Sequence, residues 1–242
     1  MKGPYGRPYG SEPTENCEKC KLRSTGFFCQ LPAAAVKDLD AIKLYSVYPE
    51  GAVLFIERQT ARGVYILCEG QVKLSISSSE GKKMILRIAK AGEVLGLVSA
   101  LAGTPHEVTA ETLRPAQAAF IPRDAFLRFI AKHPEAYPII ADQIGAQYSV
   151  ACEQVRNLGL SASAPEKLAR FLLDFAVGGQ QTKEGTRIKL PLTHEEIAEF
   201  IGTTRETVTR ALGEFKSHHL AELRGSNLLI ENREALEEFV TV

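Results

Sequence analysis

The sequence predicts an α+β chain in which an N-terminal antiparallel β-roll is followed by a long helix and a C-terminal winged helix-turn-helix. Three observations carry this reading. Between Val47 and Ile121, short β-prone runs are punctuated by Gly51, Gly63, Gly70, Gly81, Gly92, Gly96 and Gly103, a rhythm of turns that implies hairpins in a compact roll or barrel. From Pro138 to Leu158 apolar residues recur at steps of three and four, the period of a helix. From Thr193 to Leu212 two short amphipathic stretches flank Gly202, the plan of a helical hairpin.

Bulk properties bound the answer. A chain of 242 residues can bury two modest cores. With 45% hydrophobic and 24% charged residues it is neither a disordered nor a fibrous sequence. Zero formal net charge gives no general electrostatic support to a nucleic-acid partner, so that partner has to be argued from local residues. No apolar run approaches the ~20 residues needed to cross a bilayer, and Met1–Gly6 has no apolar stretch to act as a leader. A cytoplasmic protein with no membrane partner is expected.

Along the chain, residues 1–30 are expected to form a flexible arm carrying a cysteine cluster, the Gly-, Pro- and Ser-rich part ending near residue 16. Residues 31–135 form the roll, 136–160 a dimerisation helix and 161–242 the winged helix-turn-helix. Pro32 suits the start of a short helix through Val36, Leu39 and Ile42. The hairpin at Gly70 is the clearest in the roll, with Val64, Ile66 and Cys68 alternating before it and Val72, Leu74 and Ile76 after it. All six are expected to face one core. In the long helix, Ile140, Ile144, Tyr148, Ala151, Val155 and Leu158 form a seam that could pair with a second copy. An ordinary amphipathic helix packed on its own domain is the plainer alternative. Ser161–Pro165 reads as a hinge and cap, and Gly178–Gly179 ends the helix through Leu168, Phe171, Leu172 and Phe175.

The segment Thr193–Leu212 carries the most specific signal. Thr193 and Glu196 make a capping box, Ala198 allows close helix approach, Gly202 turns the chain, and Ile197, Ile201, Val208 and Leu212 form the apolar seam. A second helix beginning at Thr204 then points Arg205, Glu206, Thr209 and Arg210 away from that seam. These side chains suit base edges in a major groove: arginine for guanine, a carboxylate for the cytosine amino group, the threonine methyl for thymine. Glu195, Glu199, Glu214, Glu222 and Glu234 make the segment acidic, so phosphate contacts should be few. Lys216, Arg224 and the helix N-terminal amides are the candidates. Leu220–Ile230 reads as a hairpin wing.

With roll, long helix and winged helix-turn-helix in this order, residues 17–242 resemble the Crp/Fnr superfamily of transcription regulators. The resemblance implies a dimeric regulator of double-stranded DNA that works with RNA polymerase, not an enzyme. In Crp-type members an Arg and a Glu at the recognition-helix start, and an Arg four residues after that Glu, contact bases. Arg205, Glu206 and Arg210 match them. Fnr-type members use a Glu, a Ser and an Arg, and the serine position here is Thr209. Cyclic-AMP-binding members place a Glu after the Gly-x-x-x-Gly turn of the roll and an Arg-Ser pair further on. Here Gly92–Gly96 is followed by Leu97, and Val108–Thr109 stands at the second place. Without the arginine a buried phosphate lacks its partner, so cyclic AMP is not expected.

Cys17, Cys20 and Cys29 are similar to the N-terminal cysteines through which Fnr-type oxygen sensors hold an iron–sulfur cluster. The family's fourth cysteine position is occupied by Ala119, leaving Cys68, Cys152, a carboxylate or a second chain to complete a ligand set. Lys19, Lys21 and Arg23 nearby would favour thiolates. A cluster, zinc, a disulfide switch and a group without any ligand all remain open. The competing overall reading is a β-roll metal or redox module whose helix-turn-helix is merely structural. A catalytic metal centre would want clustered ligands, whereas His106, His133 and His194 are far apart in sequence.

Overall fold

The structure, a computed structural model, describes residues 17, 20, 22–23, 26–160 and 163–240. The arm expected over residues 1–16, together with Lys19, Lys21 and the Ser161–Ala162 part of the expected hinge, lies outside the described residues. The chain divides into two compact units, one within residues 1–78 and 86–150, the other within 79–85 and 151–242.

In the first unit a single 3-10 turn at Phe28–Gln30 precedes α1 (Ala33–Ala41). Six strands follow: β1 (Leu44–Tyr48), β2 (Val53–Phe55), β3 (Gly63–Glu69), β4 (Gln71–Ser77), β5 (Lys83–Lys90) and β6 (Val94–Leu95). After them come α2 (Leu97–Ala102), β7 (Thr109–Thr112), β8 (Ala116–Pro122), α3 (Arg123–Lys132) and the long α4 (Ala136–Leu160). The strands form two antiparallel sheets, ordered β1-β8-β3-β6 and β2-β7-β4-β5. Turn glycines work as expected where φ is positive, and Gly96 and Gly103, at φ 72° and 71°, also bracket α2, a helix the sequence reading did not find.

Both faces of β3 are covered. Val64 and Ile66 face a cluster with Phe28, Leu31, Val36 and Leu39 on one side and Phe126 and Phe129 on the other, and Cys68 packs against it half-buried. Phe28 is held edge-on between Phe126 and Phe129, at ring separations of 6.0 and 6.4 Å. From the opposite face of β3, Leu67 joins Phe55, Val72, Leu74, Ala110 and Ala116 between the two sheets. The expectation that the residues flanking Gly70 share one core is therefore corrected. Strands β3 and β4 belong to different sheets, and Gly70, at φ 91°, passes the chain from one to the other.

Besides residues 79–85, the second unit takes α4 from Ala151 onward. It continues with α5 (Ala164–Phe175), β9 (Gln180–Thr182), β10 (Gly185–Lys189), α6 (His194–Ile201) and α7 (Arg205–Ser217). Strands β11 (Ala221–Arg224) and β12 (Asn227–Ile230) and the short α8 (Arg233–Glu238) close it. Ser163 caps α5 by accepting the Glu166 amide at 3.3 Å, with Pro165 in the first turn. The wing read from sequence is β11–β12, but the sheet has four strands, ordered β11-β12-β10-β9. The polar run Gln180–Lys189 lacks apolar alternation, and it becomes strand through pairing with β12. No helix among the described residues is long and apolar enough to cross a membrane.

Candidate functional site

The helix-turn-helix is built as its local sequence dictates. The Thr193 hydroxyl accepts the Glu196 amide at 3.2 Å while the Glu196 carboxylate accepts the Thr193 amide at 2.9 Å, so two donors at the start of α6 are satisfied reciprocally. Gly202 closes α6 in the left-handed region at φ 68°. Thr204 then caps α7, its hydroxyl accepting from the Thr207 amide at 3.3 Å. Ile197, Ala198 and Ile201 of α6 and Val208, Ala211, Leu212 and Phe215 of α7 are buried.

That burial leaves Arg205, Glu206, Thr209 and Arg210 on the exposed face of α7. Among the described residues neither Arg205 nor Arg210 is held in an ion pair, so both guanidinium forks are free to donate. The Glu206 carboxyl lies below the usual carboxylate range, held there by its own main-chain amide and by the Thr204 hydroxyl, which keeps it a pure acceptor. Thr209 donates to the Arg205 carbonyl at 2.9 Å and meets His194 Nδ1 at 2.9 Å, which turns its hydroxyl inward. Sequence reasoning missed His194 as the residue that orients Thr209. Lys216, the expected phosphate contact, lies 2.6 Å from Glu222, which also binds Arg224 at 2.8 Å. Both candidate cations at this end of the unit are thus tied to one carboxylate.

The residues of the expected seam in α4 divide between two environments. Ile140 is 5% exposed within the core of the first unit, and Ile144 packs against that core. Leu158 faces Gly202 in the second unit. Tyr148 and Val155 are each 71% exposed, and Ala151 is exposed beside them. The exposed stripe runs Ala141, Gly145, Tyr148, Cys152, Val155 and Gly159, one residue out of step with the expected seam at most of its positions. Its alternating steps of four and three give the 3.5-residue period of a coiled-coil face, and two glycines leave room for close helix approach.

Comparison with known proteins bears on the whole chain. Residues 45–133 match the family model of the cyclic nucleotide-binding domain, and residues 166–239 match that of the Crp-like helix-turn-helix domain. The chain belongs to the Crp/Fnr superfamily of transcription regulators. The CRP-like cAMP-activated global transcriptional regulator of Mycobacterium tuberculosis is 28% identical over 205 residues, spanning 84% of this chain and 89% of that one. The transcriptional activatory protein AadR of Rhodopseudomonas palustris is 28% identical over 220 residues, spanning 88% and 90%. Among solved structures, FixK2 from Bradyrhizobium japonicum shares the fold at a TM-score of 0.72 and 22% identity, over 83% of this chain and 98% of that one. As a Crp/Fnr-type regulator, the protein carries a DNA-binding helix-turn-helix.

In this Crp/Fnr regulator Cys17 is hydrogen-bonded to a buried lysine, and Cys29 and Cys68 lie within that lysine's electrostatic reach. Lys43 is 8% exposed, and its ammonium donates to Cys17 Sγ at 2.9 Å. Cys17 also lies 3.2 Å from the Tyr45 hydroxyl, which donates to Asp40 at 2.5 Å. Burial pushes the Cys29 thiol up, Lys43 pulls it back, and Cys17 and Cys20 add to the rise. Burial likewise pushes Cys68 up to about 12 against the pull of Lys43, with Cys17, Cys20 and Cys29 all close enough to act on it. Cys68 lies at a bulge of β3, between Leu67, paired with Ala118, and Glu69, paired with Gln117. Ala119, where the family's usual cysteine falls, is on the adjoining strand opposite Ile66. Four thiols are a soft donor set suited to iron–sulfur clusters or zinc. Among the described residues, no group of three or more His, Cys, Asp or Glu is placed to hold a metal ion.

Proposed function

We propose that this regulator binds a two-fold symmetric duplex site as a homodimer, with α7 of each subunit reading a major groove and half-sites about two helical turns apart. The observation that carries the reading is the split of α7 into a buried face, Val208, Ala211, Leu212 and Phe215, and an exposed face bearing Arg205, Glu206, Thr209 and Arg210. Arg205 and Arg210 supply forks for guanine, Glu206 an acceptor for cytosine, and Thr204 with the first amides of α7 a phosphate seat. Lys216 reaches phosphate only by exchanging its partner Glu222. The apolar stripe around Tyr148, Ala151 and Val155 supports pairing of α4 with its copy. The arm, roll, dimerisation helix and winged helix-turn-helix are assigned to residues 1–30, 31–135, 136–160 and 161–242. RNA polymerase is the expected further partner and the cytoplasm the expected compartment; no catalytic role is assigned. Selection from random duplexes, followed by footprinting, is expected to return an inverted repeat. Arg210→Ala and Glu206→Ala should each lose about 1–3 kcal/mol of discrimination at one base pair. Equal binding of the selected site by wild type and both variants would refute the assignment.

A second reading concerns the signal. The hydrogen bond from Lys43 to Cys17, together with the electrostatic reach of Lys43, Cys17 and Cys20 to Cys29 and Cys68, supports a thiol-based sensor with Cys68 as the fourth ligand. The four do not close on a single ion, so zinc is the poorer match. An iron–sulfur cluster, which takes thiolate ligands, is the cofactor these side chains would suit. Bound there, it would supply an oxygen-labile redox centre. The chain's own residues offer a mechanical route from it. Phe27, two residues from Cys29, donates its amide to the Gly92 carbonyl at 3.2 Å, and both polar backbone atoms of Val94 are held by Gln143 of α4, at 3.2 and 2.7 Å. A shift of the cysteine segment would reach α4 through this turn. Cyclic AMP, named for the mycobacterial relative, finds neither its acidic nor its arginine partner at Leu97 and Val108–Thr109 here.

A further inference from the structure

In the first unit the fold sets an amine against a thiol, both out of water. Lys43, in the short link between α1 and β1, is 8% exposed, and Cys17 is 5% exposed. Among the described residues the Lys43 ammonium is in no ion pair with a carboxylate. It donates to Cys17 Sγ at 2.9 Å. Burying an ammonium is costly unless an anion is paired with it, so a lysine buried with its head group aimed at sulfur calls for a reason beyond packing.

The sulfur has a second contact. The Tyr45 hydroxyl lies 3.2 Å from it and donates to Asp40 Oδ1 at 2.5 Å, so the thiol proton has a hydrogen-bonded path to a half-buried carboxylate. Cys20, three residues along the chain, turns its sulfur to the Leu22 amide at 3.4 Å. Cys17 is a free thiol. Its sulfur and the Lys43 nitrogen stand closer than two unbonded atoms pack and farther apart than a single bond, a gap that one oxygen atom spans.

We infer that Cys17 and Lys43 are a redox modification site, joined by a covalent N–O–S bridge when dioxygen reaches the thiol and the amine. Sulfur and nitrogen each give up two electrons, and dioxygen takes all four. One S–H and two N–H bonds break while S–O and O–N bonds form. One oxygen atom enters the bridge, the other leaves as water, and one proton is released. Like the reversible first steps of cysteine oxidation, the bridge is undone by thiol reductants. It pins the cysteine arm to the link between α1 and β1 and withdraws the Cys17 sulfur from any cofactor. The site goes beyond the DNA-binding and cluster readings and depends on neither.

The test uses full-length protein purified without oxygen in chelator and reductant, so that no metal competes for the sulfur. With the reductant removed, one sample is exposed to air and another kept under argon. Intact mass spectrometry is expected to show a gain of about 14 Da in air alone, one oxygen gained and two hydrogens lost, with one free thiol consumed. Dithiothreitol should reverse both changes. In a tryptic digest the peptide carrying Cys17 should be joined to one that runs uncut through Lys43. Cys17→Ser and Lys43→Arg should each abolish the gain, and Lys37→Arg, at an exposed lysine of α1, should keep it. The wild-type peptide map reads the link directly, whatever the variants do to folding. No change in air, a loss of about 2 Da with two thiols consumed, a gain of about 16 Da confined to one cysteine, or a gain of about 14 Da that persists in Lys43→Arg would each overturn the assignment. Iron and sulfide play no part in this readout, so its failure leaves the cluster reading standing.

Discussion

Single residues in this chain are legible where their chemistry is local. Thr193 and Glu196 meet as a capping box because both partners lie within one helical turn. His106 is the opposite case. It was only one of several scattered histidines in the sequence, and the fold buries it against Phe55. Its titration has a definite sign. Burial depresses its folded-state pKa below the ordinary 6.5, so the stability it contributes is fully present above that value and is lost as pH falls through the folded one. Below the ordinary value the unfolded chain takes up a proton that the folded chain refuses. Urea unfolding of wild type should therefore weaken between about pH 7.5 and 5.5, and His106→Gln should weaken less over the same interval. Identical pH dependence of the two proteins would show that other groups govern acid stability.

At the scale of elements, the turn between α6 and α7 and the exposed face of α4 make separate predictions. Gly202 sits at φ 68°, and an added Cβ would stand 2.8 Å from Leu158 Cδ2. Gly202→Ala is expected to cost about 1–2 kcal/mol from the left-handed backbone, plus the displacement of Leu158. Thermal unfolding followed by the helical signal would measure it. In α4, Ile144→Asp would damage the first unit's own core as well as any dimer, because Ile144 packs against that core. Val155, 71% exposed, separates the two effects. Val155→Asp should leave the melting of the isolated subunit intact while raising the dimer dissociation constant, read by sedimentation equilibrium. A wild type that stays monomeric at micromolar concentration with DNA present would end the case for α4 pairing. Of the expected seam, Ile140 and Ile144 are taken up by the first unit's own core, because period alone cannot say which apolar stripe of a helix its own domain has already used.

At the scale of the whole molecule, a signal received at the cysteines would have to alter DNA binding. Protein prepared without oxygen is expected to carry iron and acid-labile sulfide and to change its DNA affinity on exposure to air. Cys20→Ser should be colourless and insensitive to air. Since burial raises the Cys29 and Cys68 thiols, loading the site must expel their protons, so metal uptake should release acid and strengthen as pH rises. A preparation free of iron and zinc, with Cys20→Ser regulating as wild type does, would move the signal to the roll.

The order of roll, long helix and winged helix-turn-helix was determined by the sequence alone, as were the four outward residues of α7. Turn glycines, helical period and capping pairs act over a few neighbouring residues, so a linear reading contains them. Tertiary structure decided what depends on distant partners. It set Cys68 within electrostatic reach of the N-terminal cysteines on the strand next to Ala119, brought Lys43 against Cys17, and tied Lys216 and Arg224 to Glu222. It also split the faces of β3 between two cores and made strand of the polar run Gln180–Lys189. Register between strands and burial of a charge are properties of the packed chain. They arise from which surfaces find each other when apolar area is removed from water, and no single stretch of sequence encodes that choice.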